Sequence, residues 1–172
     1  MEQTSINTIV IACGSDRKTP PFHIDVTVVE EDTWQVLAAG NAAPETHEHP
    51  IRLMTSLIEQ KPVPAGELII HGNEWRLVVV DLDQDPVCGP ISIARGLVTL
   101  ALQIEKHRIS GISLPILGLS NDCIQIDEFI KLLKTHILEN SALTSLQHLW
   151  LRVPEGPREP VRQALYRLCS PP

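Results

Sequence analysis

The chain alternates between short apolar runs and amphipathic stretches with helical spacing. Apolar runs of about four to eight residues bounded by turn residues are typical of strands. They predict strands over residues 6–13, 23–29, 34–38, 67–71, 75–82, 111–116 and 148–153. The acidic tripeptide at residues 30–32 is expected to join the second and third of these strands as a turn.

The amphipathic stretches predict helices over about residues 50–60, 90–107 and 126–138, and a last helix that begins at Pro157. Helical spacing places an apolar stripe on one face of each. In the second helix the stripe comprises Ala94, Leu97, Val98 and Ala101. In the third helix it comprises Ile126, Phe129, Ile130, Leu133 and Ile137.

Strand and helix alternate three times from residue 75 onward. The run Leu77-Val78-Val79-Val80 is continuously apolar, as expected of a central strand covered on both faces. Such alternation predicts parallel pairing with right-handed crossovers. We therefore expect an α/β fold with three layers, α/β/α, around a mixed but mainly parallel sheet.

Composition narrows the class of protein. The 172 residues suit a single domain, 1–172. Lys and Arg number 14 against 21 Asp and Glu, a net charge of −7, which argues against electrostatic binding of nucleic acid. No apolar stretch approaches the length that spans a bilayer, so no membrane association is expected.

Four cysteines, Cys13, Cys88, Cys123 and Cys169, lie far apart and form no C-x-x-C pair. They are expected to be small buried thiols in a reducing compartment. The N-terminal residues show no signal-peptide pattern, so we expect a cytoplasmic protein. The sequence does not predict the oligomeric state, and a protein partner remains open.

Ligands of parallel sheets bind beyond the carboxyl ends of the strands. Three loops qualify, over residues 39–43, 83–89 and 117–122. The third leads into a helix N-terminus, where free amides hold anions and where Asn or Asp also serves as a cap. The candidate ligand-binding residues of the first and third loops are Gly40, Asn41, Gly118, Leu119, Ser120 and Asn121.

These segments resemble macrodomains. Residues 36–41, Val-Leu-Ala-Ala-Gly-Asn, are similar to the family's strand-to-loop signature Ile-Val-Asn-Ala-Ala-Asn. Residues 65–71 resemble its pair of strands that ends in a histidine, and residues 113–118 resemble its later strand, which enters a phosphate loop through a proline. The resemblance covers residues 34–168 as a macro-like core and sets residues 1–32 apart as an additional N-terminal β segment.

The resemblance implies ADP-ribose or a related nucleotide as ligand, with Asn41 at the position that contacts the distal ribose. Ala38 replaces the other asparagine of the signature, and most glycines of both loops are missing. Glu45, Glu48 and Asp122 add carboxylates that repel a diphosphate. We therefore expect a divergent, weak nucleotide binder. A degenerate structural or protein-interaction module is the alternative, and an ADP-ribosyl hydrolase is a further one.

Other chemistry has weaker support. The cluster His47-Glu48-His49, with His71, contains metal-ligand types, but H-x-H has no third ligand at a diagnostic spacing. We expect no metal and no cofactor. Cys88 and Ser120 are nucleophile candidates by position alone, and no paired base is visible. Catalytic residues are therefore not assigned, and an enzyme is the less favoured reading.

Overall fold

The apolar runs assemble into one seven-stranded sheet. The computed structural model describes residues 3–6, 8–15, 17–39, 61–119, 122–154, 159–161 and 163–164. Its strands are β1 (Gln3–Ile6), β2 (Ile9–Gly14), β3 (Val26–Asp32), β4 (Leu68–His71), β5 (Glu74–Val80), β6 (Gly111–Pro115) and β7 (His148–Arg152).

The strands follow the order β1-β2-β7-β6-β3-β5-β4. Strands β2, β7, β6, β3 and β5 are parallel, whereas β1 and β4 pair antiparallel at the two outer positions. The prediction that the strands near residues 75–82, 111–116 and 148–153 share one mainly parallel sheet is confirmed. Strand β3 lies between β6 and β5, so the chain's early part contributes a central strand.

Helices connect the parallel strands. The first is the short α1 (Val36–Ala39), and α2 (Pro90–His107) links β5 to β6. Between β6 and β7, α3 (Ile126–Leu133) continues into a π-helical turn, Lys134–Leu138. Both crossovers step in the same direction along the sheet, so right-handed connections place α2 and α3 on one face, where they contact each other. The predicted α/β fold is confirmed.

The core lies between β5 and α2. Trp75, Leu77 and Val79 are buried on β5, and a Cβ added to Gly96 of α2 would lie 3.2 Å from the Leu77 and Val79 side chains. The helix therefore packs closely on the strand at this glycine. The buried stripe of α2 comprises Ile93, Gly96, Leu97, Leu100, Ala101 and Ile104. The predicted stripe was rotated from this one, since Val98 is 44% exposed.

Sequence patterns misplace two elements in the first third of the chain. The predicted strand over residues 6–13 corresponds to β2, but it starts too early, because Ile6 ends the separate strand β1, which pairs antiparallel with β2. The predicted hairpin over residues 23–38 is wrong, because residues 30–32 continue β3 and residues 36–39 are helical. Residues 159–161 and 163–164 are helical, as predicted, whereas the predicted helix at 50–60 and Pro157 lie outside the described residues.

The parallel strands run in one direction, so they begin at one side of the sheet and end at the opposite side. We call the side where β2, β3, β5, β6 and β7 end the carboxyl edge, and the side where they begin the amino edge. At the amino edge, Asp25 Oδ2 accepts hydrogen bonds from Ser110 N, Ser110 Oγ and Gly111 N at 2.7–2.9 Å.

None of the described helices is long and apolar enough to cross a bilayer.

Candidate functional site

Strands β3 and β6 separate toward the carboxyl edge. They pair only at Val26↔Ile112 and Thr27↔Ser113, whereas β3 stays paired with β5 as far as Asp32↔Val80. The sheet therefore opens between β3 and β6 beyond Thr27, and we call this opening the β3/β6 cleft. Its position agrees with the general rule that ligands of parallel sheets bind beyond the carboxyl ends of the strands.

Arg152 closes part of this cleft. It stands at the end of β7, in register with Pro115 of β6, and its Nη2 donates a hydrogen bond to the Val28 carbonyl of β3. The side chain thus passes the intervening strand β6. Val28 lies just beyond the last β3–β6 pair, so Arg152 binds a carbonyl at the point where the two strands separate. This contact joins β7 to β3, and β3 forms the first wall of the cleft.

The loop after β6 forms the second wall. Gly118 has φ +75°, a backbone conformation that L side chains rarely adopt. A Cβ at this position would also lie 2.8 Å from Ile93 Cδ1 and 3.2 Å from Ile124. The Cys123 amide donates to the Gly118 carbonyl at 2.9 Å and closes the loop. Glycine is therefore required where the chain leaves β6.

Glu30 of β3 meets this loop. The Gly118 amide donates a hydrogen bond to Glu30 Oε2 at 3.3 Å. The end of β3 and the loop after β6 are therefore adjacent, as expected for loops that leave parallel strands. The expected partners of Gly118 and Leu119 were Gly40, Asn41, Ser120 and Asn121, and these four lie outside the described residues. Their place in a shared site stays a prediction.

Asp32 explains why residues 36–39 are helical. Its buried carboxylate accepts hydrogen bonds from the amides of Trp34 at 2.7 Å, Val36 at 2.9 Å and Leu37 at 2.8 Å. An aspartate that satisfies the first free amides of a helix is a strong N-terminal cap. The predicted strand over residues 34–38 has the required apolar residues, but this cap folds them into α1.

Further carboxylates lie at the same edge, after β5. Asp81 Oδ1 lies 3.5 Å from Thr33 Oγ1, and Asp83 Oδ2 accepts a hydrogen bond from Trp34 Nε1 at 2.9 Å. The loops after β3 and β5 are therefore joined by contacts between polar side chains. With Glu30 and Asp32, these groups make the described part of the carboxyl edge acidic, which disfavours an anionic ligand.

Glu31 points into the protein interior. Its side chain is fully buried, and Oε2 lies 4.0 Å from Nη1 of Arg76 on β5. Arg76 Nε also donates to Glu74 Oε1 at 3.0 Å. Because a charge removed from water requires a compensating partner, Arg76 accounts for a buried acid at this position. Glu31 Oε1 also accepts a hydrogen bond from the Asp32 amide at 3.0 Å, so this acid contacts the sheet through both of its oxygens.

A disulfide joins the loops after β5 and β6. Cys88 and Cys123 are bonded, with 5.6 Å between their Cα atoms, a normal separation for this crosslink. The expectation of reduced thiols is wrong for these two residues. The crosslink holds the start of α2 against the end of the loop that contains Gly118. It also removes Cys88 as a nucleophile, because its sulfur is already bonded.

The histidine predictions have different outcomes. His71 ends β4, where it pairs with Glu74 across the turn to β5, and this turn lies at the amino edge. The histidine expected at a strand end is therefore far from the β3/β6 cleft. The cluster His47-Glu48-His49 lies outside the described residues. Within the ranges that the structure describes, no group of three or more His, Cys, Asp or Glu side chains is arranged to hold a metal ion.

Sequence reasoning missed Glu30, Asp32 and Arg152. An available signal was the run from Val26 to Val29, whose β-branched residues favour a strand that extends into the acidic tripeptide. Nothing in the local sequence indicates that Arg152 reaches past a neighbouring strand. That contact follows from the order of β7, β6 and β3 in the sheet.

Comparison with solved structures identifies the fold as that of macrodomains. The Oceanobacillus iheyensis macrodomain with ADP matches with a TM-score of 0.69 and 15% identity, over 97% of this chain and 95% of that one. A mutant of that macrodomain with ADPR matches with a TM-score of 0.64 and 17% identity, over 97% of each chain. The macrodomain of Thermus aquaticus DarG matches with a TM-score of 0.55 and 15% identity, over 84% and 97%.

No protein-family profile matches the chain, and no curated protein sequence matches it. At identities of 15–17% the structural similarity is a similarity of fold. The chain thus has the macrodomain fold, as its resemblance to that family implied.

Proposed function

We propose that this protein is a nucleotide-binding module whose β3/β6 cleft takes ADP-ribose or a related nucleotide with low affinity. The observation that carries the proposal is the separation of β3 from β6 beyond Thr27↔Ser113. It opens the sheet where the loop containing Gly118 leaves β6. Solved structures with the same fold include macrodomains with ADP and with ADPR.

Binding would depend on backbone amides near Gly118. Amides carry no formal charge, yet several of them directed at one point hold a phosphate. Gly118 supplies one such group, and a phosphate that binds it must replace its hydrogen bond to Glu30 Oε2. The carboxylates nearby oppose a diphosphate, and one such contact costs on the order of 1 kcal/mol or more. We therefore expect a dissociation constant near a millimolar.

Isothermal titration calorimetry of the untagged protein with ADP-ribose tests this proposal. Gly118→Ala is expected to abolish binding, because the added Cβ is incompatible with the turn. Gly72→Ala is the matched control, since Gly72 also has a positive φ of +57° but lies in the turn between β4 and β5 at the other edge. The control is expected to bind as the wild type does, with circular dichroism confirming that both variants fold.

The result also tests the argument about charge. A dissociation constant near 1 µM would show that the carboxylates and missing glycines do not weaken the site. Equal binding by the Gly118 and Gly72 variants would place the ligand elsewhere. An absence of heat and of thermal stabilisation up to about 10 mM ADP-ribose would contradict nucleotide binding and leave the second candidate.

That second candidate is a structural or protein-interaction module. It is favoured by the contacts that the chain itself makes across the cleft, from Arg152 to Val28 and from Gly118 to Glu30. Because these contacts already hold the cleft together, its structure does not depend on a bound ligand. Thermal-shift measurements against a series of nucleotides separate the two candidates, because a ligand at ten times its dissociation constant adds about 1.4 kcal/mol of stability.

We do not propose an enzyme. Cys88, one of the two nucleophile candidates, is bonded to Cys123. The other, Ser120, lies outside the described residues. The expected outcome of incubation with ADP-ribosylated protein is no release of ADP-ribose. The cytoplasmic location expected from the sequence stays a prediction, and a disulfide is more common in oxidising compartments.

A further inference from the structure

The Gly118 amide differs from its neighbours in where its hydrogen bond goes. Three other amides of the loop bond within it: Leu119 to the Ile116 carbonyl at 3.4 Å, Asp122 to Leu119 at 3.2 Å and Cys123 to Gly118 at 2.9 Å. The Gly118 amide instead leaves the loop and meets Glu30 Oε2 of β3 at 3.3 Å. An amide directed out of the loop across the cleft is the group that a ligand would contact.

Glu30 is held in place by the sheet rather than by a loop. It pairs with Leu77 of β5, in the part of β3 that has already separated from β6. Its carboxylate therefore reaches into the cleft from a rigid strand. An intramolecular group of this kind competes at an effective concentration of about a millimolar or more, which is comparable with a weak ligand.

The geometry points to Glu30 as the specificity-determining residue of the cleft: its carboxylate occupies the Gly118 amide and thereby selects against ligands that present a phosphate there. This inference rests on the proposed function. A phosphate must displace Glu30 and also approach its negative charge. A nucleoside without phosphates brings no negative charge toward Glu30, so the cleft discriminates by charge.

The test compares binding of ADP-ribose and adenosine by the wild type and by Glu30→Gln. The glutamine variant keeps the size of the side chain and removes the charge. We expect its affinity for ADP-ribose to rise about tenfold and its affinity for adenosine to change less than twofold. Glu30→Ala, which removes the competing acceptor as well, gives the same comparison if the glutamine variant does not fold.

Asp122→Asn is the matched control. It removes one carboxylate from the same loop, and asparagine tolerates the positive φ of +51° found there. Because the exposed Asp122 side chain is not the acceptor of the Gly118 amide, its removal should raise ADP-ribose affinity no more than threefold. In a ¹H–¹⁵N spectrum, the Gly118 resonance should move further in Glu30→Gln than in Asp122→Asn.

The outcomes separate the inference from the proposed function. If the wild type binds ADP-ribose and Glu30→Gln binds it no better, the inference is wrong and the proposed function stands. An equal gain for adenosine also overturns the inference, because it indicates general opening of the cleft. If the Gly118 resonance responds to Glu30→Gln but neither protein binds ADP-ribose or adenosine at about 10 mM, both proposals fail.

Discussion

The two edges of the sheet use carboxylates differently. At the amino edge, Asp25 accepts three hydrogen bonds from Ser110 and Gly111, and Glu105 accepts four from Thr144 and Ser145, all between 2.7 and 3.0 Å. At the carboxyl edge, the contact between Glu30 and the Gly118 amide is longer, at 3.3 Å.

The difference distinguishes structural acids from a candidate ligand site. Asp25 and Glu105 each bind two successive residues that lie at or near the start of a strand. Hydrogen bonds to a charged group are stronger than those between neutral groups, so several on one carboxylate hold these segments together. The single, longer hydrogen bond from the Gly118 amide to Glu30 is weaker, so a ligand can replace Glu30 as its acceptor. The number of acidic residues in the sequence does not reveal this distinction. The hydrogen-bond donors that each carboxylate meets in the folded protein do reveal it.

The largest expected effect concerns the carboxyl edge. The Cys88–Cys123 disulfide closes a loop with a sequence separation of 35 residues. A crosslink of that span stabilises a protein by about 4 kcal/mol, mainly through the unfolded chain. Replacing both cysteines by serine should lower the free energy of unfolding by that amount, as measured by urea denaturation. A dithiol reductant should destabilise the wild type equally and leave the double variant unchanged, and a reductant without effect on the wild type would contradict the prediction.

A backbone contact at the amino edge gives the next effect. A Cβ on Gly111 would overlap the carbonyl oxygen of His23, which is main chain and has little freedom to move. Gly111→Ala should therefore cost about 2–3 kcal/mol in thermal or urea unfolding. Gly89→Ala is the control, because no atom lies within 4 Å of an added Cβ there, and it should cost at most about 1 kcal/mol. Equal losses would show that the two positions are not packed differently.

Removing one charge at each edge sharpens the comparison further. Asp25→Asn and Asp32→Asn each replace a carboxylate that accepts three hydrogen bonds by a neutral amide. Each should cost about 1–2 kcal/mol of unfolding free energy. Hydrogen exchange should separate them: Asp25→Asn exposes the amides of Ser110 and Gly111, whereas Asp32→Asn exposes those of Val36 and Leu37. Exposure of the same amides in both variants would contradict the separate roles.

The smallest effect is a pH dependence at the amino edge. Hydrogen bonds from Ser145 and Thr144 lower the pKa of Glu105 from 4.5 to about 2. A lowered carboxyl pKa stabilises the folded state above about pH 4.5, and the stabilisation disappears as the pH falls toward 2. Between pH 4.5 and pH 2, Glu105→Gln should therefore lose less stability than the wild type, as measured by urea midpoints at several pH values. Parallel pH profiles of the two proteins would show that Glu105 makes no such contribution.

Asp25 contributes in the same direction. Burial raises its pKa, but the hydrogen bonds from Ser110 and Gly111 outweigh burial and leave the pKa below its usual value. The Glu105→Gln variant therefore keeps part of the acid sensitivity, and the double variant with Asp25→Asn should lose more of it.

Several elements were predictable because their signals are local. The helix over residues 90–107 begins at Pro90, a good first helical residue, and its predicted range is that of α2. The continuous apolar run on β5 indicated a strand covered on both faces. The candidate glycine Gly118 was found because a turn must follow β6. Each of these signals depends on neighbours within a few residues.

The failures occurred where a side-chain contact, either nearby or distant in sequence, overrides the local pattern. Residues 34–38 have strand-like composition, but the Asp32 carboxylate caps their amides and makes α1. The alignment with the macrodomain signature used the same segment, so it placed a strand-to-loop signature on residues that form a helix. Cys88 and Cys123 form no local motif, and only the adjacency of two loops brings them together.

The sequence by itself determined the alternation of strand and helix, the parallel sheet and the acidic character of the loops, because periodicity and charge are properties of adjacent residues. The tertiary structure decided which acids meet amides and where the sheet opens. Strand order places β7, β6 and β3 side by side, and this order brings Arg152 to Val28 and Gly118 to Glu30. Those pairs are separated by 124 and 88 residues, so only the folded sheet makes them neighbours.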